Sequence, residues 1–87
     1  MKTYYLIKAY ETRYINGETV ERFRYFGKDG KLLGRIEGSD VSRYTKDDIR
    51  NHGYRSYKKA LESGWALKDE IRSTGWTIVI TIIAEAA

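Results

Sequence analysis

The chain has no cysteine and no proline, one histidine and two phenylalanines among its 87 residues. Without cysteine there is no disulfide framework, no thiol nucleophile and no cysteine-based zinc site. A single histidine leaves too few partners for a Ser/His/Asp arrangement. The longest apolar run, Trp76 to Ala84, contains two threonines and is nine residues long, against the ~20 that a membrane helix needs. The start of the chain, Met1-Lys2-Thr3-Tyr4-Tyr5-Leu6-Ile7-Lys8, is broken by charge too early for a signal-peptide apolar region. A protein without a membrane segment, cytoplasmic by default, is the expectation. No Gly-rich stretch lies at a strand-to-helix junction of the phosphate-binding type.

What is present is charge and tyrosine. Sixteen Lys and Arg against twelve Asp and Glu give a net charge of +4. The charge is uneven: residues 1–59 hold fourteen basic and eight acidic side chains, a net of +6, and residues 60–87 a net of −2. A basic first part points to an anionic partner for one face. Eight tyrosines suit strands, half-buried cores and contact surfaces. The length fits one domain spanning 1–87.

Two dipeptides organise the first half. Asn16-Gly17 and Asp29-Gly30 are the tight hairpin signals, because both central positions of a type I′ turn need positive φ. They predict strands over 3–15, 18–27 and 31–37 in an antiparallel meander. Thr45 followed by Asp47 and Asp48 predicts a capped short helix over 46–52, closed by Gly53. A longer helix is predicted over 56–73, with Ser56 as its cap and Tyr57, Ala60, Leu61, Gly64, Lys68 and Ile71 as its inner stripe. Gly64 in mid-helix implies close approach to the sheet. The β-branched run from 76 to 84 predicts a last strand, with Trp76, Ile78, Ile80 and Ile82 turned to the core. The fold class is α+β, in the order β-β-β-α-α-β. It is a four-stranded, mostly antiparallel sheet with one long helix packed on one face.

Two-residue turns fix the register, so opposed residues sum to 33 across the first hairpin and 59 across the second. One face then carries Tyr10, Phe23 and Ile36, with Lys8, Tyr25 and Gly34, and with Leu6, Gly27 and Leu32. As the more apolar of the two it is expected beneath the helix. The other carries Ile7, Phe26 and Leu33 at one end and Ala9, Glu11, Arg22, Arg24, Arg35 and Glu37 at the other, with Arg13 beyond. Read blandly, this second face is solvated and carries the cross-strand ion pairs Glu11–Arg22 and Arg22–Glu37. Read functionally, Arg13, Arg22, Arg24 and Arg35 form an anion-binding face, and Phe26 and Leu33 an apolar anchor at its edge.

A second basic group, Arg43, Lys46, Arg50, Arg55, Lys58 and Lys59, is interleaved with Tyr44, Tyr54 and Tyr57. Basic residues among aromatics suit a nucleic-acid backbone with bases stacked on rings, and Arg43, Tyr44 and Arg55 are its site candidates. His52, beside Gly53 at a helix end, reads as a capping residue. Asp47 and Asp48 need no metal to explain them, and no cofactor or metal is expected. The reading is a non-enzymatic binding protein whose partner is nucleic acid. The alternative is an inhibitor of the phage-encoded, anti-CRISPR kind, which binds and blocks a nucleic-acid-handling protein complex.

Overall fold

The computed structural model describes residues 1–72 and 75–87. The elements are β1 (Thr3–Ile15), β2 (Glu18–Phe26), β3 (Leu32–Glu37), β4 (Asp40–Ser42), α1 (Lys46–His52), α2 (Tyr57–Glu70) and β5 (Thr77–Ala86). The five strands form one antiparallel sheet in the order β4-β3-β2-β1-β5. The expected four strands are joined by β4, which folds back on β3 after Gly38, a turn residue at φ +57°. The predicted end of the long helix, residue 73, lies outside the described residues; α2 ends at Glu70.

The first hairpin forms as its turn chemistry requires. Asn16 and Gly17 stand at φ 50° and 82°, and the ladder runs from Ile7↔Phe26 to Ile15↔Glu18. A β-branched side chain resists positive φ, so Gly17→Val is expected to cost more than about 1 kcal/mol. Chemical denaturation checks this, and an unchanged midpoint would contradict the tight turn. In the second turn Asp29 and Gly30 also have positive φ, but the register slips beside it. Tyr25 still faces Gly34, whereas Phe26 faces Leu32. Leu33 is left as the extra residue of a bulge and turns to the opposite side from the one expected.

The largest correction concerns which face the long helix covers. Neighbouring residues of a strand point to opposite faces. Ile7, Ala9 and Phe26 pack with Leu67 of α2 and with Ile78, Ile80 and Ile82 of β5. Leu6 and Leu33 pack with Ile49 of α1, together with Tyr4, Tyr44 and Ile83. Thus α2 lies on the Ile7–Ala9 face and α1 caps one end of the other. The Tyr10–Phe23–Ile36 face, expected under the helix, has no α2 upon it.

The chain changes face through a gap in the sheet. Strand β2 stops at Phe26, opposite Ile7, so the earlier part of β1 lacks that neighbour. Tyr54, between the two helices, takes the place: it exchanges both backbone hydrogen bonds with Tyr5, at 2.7 and 2.9 Å. Both helix starts are capped as expected. Thr45 and Asp48 form a reciprocal capping box, and Ser56 accepts from the Lys59 N–H. The buried stripe of α2 is Ala60, Gly64 and Leu67, rotated from the one expected; Tyr57 is 52% exposed and Lys68 faces solvent. Small residues set that rotation. A Cβ on Gly64 would stand 2.9 Å from Ile80 Cγ2, so helix and sheet meet more closely there than any side chain allows. The isoleucines of β5 do face the core, as expected, with Ile78 buried and Ile80 and Ile82 half-buried.

Candidate functional site: two opposed sheet faces

The expected arginine face divides: Arg22 and Arg24 pair with one carboxylate, Arg35 with another, and Arg13 lies beside an indole. Glu11 is fully buried on β1, 0% exposed, although it is a carboxylate. Two cross-strand arginines hold it. Arg22 donates to its Oε1 at 2.9 Å, and Arg24 donates through Nη2 at 2.7 Å and through Nε to the other oxygen. The Arg22 guanidinium also lies over the Trp76 ring, 3.8 Å from its centroid. Arg13 stands 5.9 Å from the same ring, beside Gly75. Arg35 is turned away to Asp40 of β4 at 2.8 Å. The Glu11–Arg22 pair was legible in the register. The partner expected for Arg22 on the other side, Glu37, is replaced by the indole.

Burial alone would raise the Glu11 pKa. The hydrogen bonds and charges of Arg24 and Arg22 outweigh it and hold the carboxyl below its usual range. Glu11 is therefore ionised at neutral pH and consumes much of the charge of the two arginines. This cluster ties β2 to β1 within the first hairpin and, through Trp76, to the start of β5.

The apolar anchor expected on this face is not available to a partner. Phe26 is 4% exposed under α2, and Leu33 is 7% exposed under α1. Both are core residues. The second basic group is spread over α1, the link and α2. Arg50 pairs with Asp47, and Arg55 lies 4.9 Å over the Tyr4 ring. Arg43 lines a small hollow with Tyr25, Ile36 and Tyr44. Tyr44 donates to Glu85 at 2.7 Å and meets Tyr25 edge-on at 5.3 Å. Burial first, and then that carboxylate, push its phenol pKa well up, so Tyr44 is a fixed strut between β5 and the loop before α1. His52 closes α1 with its carbonyl set against Gly27, in keeping with a structural role.

The helix-free face has a different composition. A single cross-sheet rung runs Val79, Tyr10, Phe23, Ile36, Val41, one residue from each of the five strands. Tyr10 and Phe23 rings pack at 5.1 Å, and the Lys8 ammonium lies 4.8 Å above Phe23. Val79 and Val41 are each 51% exposed, and Tyr10, Phe23 and Ile36 are half-buried. Beside the rung lies a hollow of about 470 Å³ lined by Lys8, Tyr10, Glu21, Phe23, Val79 and Thr81, among others. Tyr10 donates to Glu21 at 2.6 Å, so the one acid in the hollow has a partner.

In comparisons with known proteins, no family model, no curated protein and no solved structure matches the chain. Among the described residues no helix is long and apolar enough to cross a membrane.

Proposed function

We propose that the chain is a non-enzymatic binding protein that docks on another protein through the helix-free face of its sheet. The observation that carries this reading is the apolar rung Val79–Tyr10–Phe23–Ile36–Val41, which crosses all five strands. Protein interfaces have an apolar, aromatic centre within a polar rim, and this face has that composition. Its rim is Lys8, Glu21 and Arg43. The partner is a protein surface with an apolar ridge and an acidic margin. A small domain of this kind acts by occupying a surface that others need, which fits an inhibitor of a nucleic-acid-handling complex.

Direct binding of nucleic acid by the arginine face draws less support. Phosphate contacts need cations that are free to replace counterions. Here Arg22 and Arg24 are committed to Glu11, and Arg35 to Asp40.

The test is capture of a partner from the source cell, with and without nuclease, using the wild type, Phe23→Ser and Arg35→Gln. Retention after nuclease, loss with Phe23→Ser and retention with Arg35→Gln are expected. Loss of the partner on nuclease treatment, together with salt-sensitive binding of DNA or RNA by the purified chain, would overturn the reading.

A further inference from the structure

A separate feature is the free edge of β5. Lys2 and Ala87 exchange both backbone hydrogen bonds, at 3.0 Å each, which sets the parity of the whole β1–β5 ladder. The odd residues of β5 bond inward to β1. Ile78, Ile80, Ile82, Ala84 and Ala86 therefore turn their N–H and C=O groups outward, and among the described residues no strand pairs with them. This edge is ten residues long, holds no proline, and carries no charge before Glu85. Proteins usually blunt a long edge with a lysine, a proline or a bulge. The opposite edge is blunted: β4 has three residues, and its Asp40 is paired with Arg35.

We propose that β5 pairs antiparallel with β5 of a second copy, making one ten-stranded sheet. The two-fold axis of such a pair stands perpendicular to the sheet, so like faces stay together. Centring on Thr81 uses nearly the full strand. Ile80 then exchanges bonds with Ile82 of the second copy and Ile78 with Ala84. Thr81 meets its own mate, a favourable cross-strand pair, and Glu85 faces Thr77 rather than another acid.

The flank of α2 supports a second copy as the occupant. Helix α2 packs over β5 and β1, so the same axis brings it towards its mate on one face of the joined sheet. The flank facing that way carries Trp65, which is 60% exposed, with Lys68, Asp69 and Arg72. It borders a groove of about 550 Å³ along Trp76 and Ile78. An exposed indole among charges of both signs suits a self-complementary contact. An edge roughly 33 Å long, on a molecule 16 Å thick, offers roughly 500 Å² from each copy, in total the ~1,000 Å² at which a biological interface begins.

Sedimentation of the full chain, with backbone hydrogen exchange, tests the proposal. The wild type is expected at twice the 10.1 kDa chain mass, with slow exchange at the Ile78, Ile80, Ile82 and Ala84 amides. Ala84→Pro removes an outward N–H and leaves the β1 ladder its bonds, and it is expected to give a monomer. Trp65→Glu, at an exposed helix position, is expected to do the same and serves if the proline variant does not fold. A wild type that stays monomeric up to about 1 mM, the weak end of specific association, would overturn the proposal. So would a dimer whose four edge amides exchange fast, because that dimer uses another surface.

Discussion

Replacing Glu11 with glutamine is expected to destabilise the protein by about 3–5 kcal/mol, the range for breaking a buried ion pair from one side. The reason is what remains. Arg22 and Arg24 stand at 17% and 23% side-chain exposure and would face each other with no carboxylate between them. Arg22 Nε already has no hydrogen-bond partner, so the cluster has no spare acceptor to recruit. The pH dependence carries the same signature. The folded-state pKa of Glu11 lies below its unfolded value of about 4.3. Its contribution is therefore fully present above the unfolded value and is lost as pH falls through the folded one. Urea denaturation between neutral and acid pH should show this loss in the wild type and a flatter profile in Glu11→Gln. Equal stability of the two proteins at neutral pH would refute the buried ion cluster.

The second large effect distinguishes the two faces. Ile7 is 1% exposed beneath α2, in contact with the Phe26, Leu67 and Ile82 cluster. Ile7→Ala is expected to cost about 2–5 kcal/mol, by lost burial and by the cavity left behind. Phe23 is larger but half-buried, on the side that α2 does not cover. Phe23→Ser is expected to cost less than half as much as Ile7→Ala. Midpoints measured side by side decide it. The reverse order would place the helix on the Tyr10–Phe23 face.

That comparison also marks where the sequence stops being legible. The first turn and its register, both helix caps, the close approach at Gly64 and the inward isoleucines of β5 follow from local chemistry and strand parity. The face covered by α2 does not. Tyr10, Phe23 and Ile36 outweigh Ile7, Ala9 and Glu11 in apolar character, so composition favours the wrong side. What decides it is the pairing of Ile78, Ile80 and Ile82 with Glu11, Ala9 and Ile7. That depends on β5 lying beside β1, a long-range placement that no local signal encodes. Leu33 is a similar case: one bulge residue moves it from an expected contact anchor into the core under α1. The register places the arginines on one face, but whether they meet solvent or a carboxylate depends on the burial of Glu11 between Arg22 and Arg24. Tyr10, Phe23 and Ile36 were visible as a set, and only their role was misassigned.

The most direct test of the docking face is a footprint by NMR. Aromatic ring resonances of the chain are recorded alone and with the partner captured from its source cell. The expected result is that the Tyr10, Phe23 and Tyr25 rings shift on binding, while the Trp76 indole and the Arg22 and Arg24 Nε–H signals hold their positions. Shifts confined to Trp76 and those arginines, with the three rings unmoved, would put the partner on the other face and contradict the proposal.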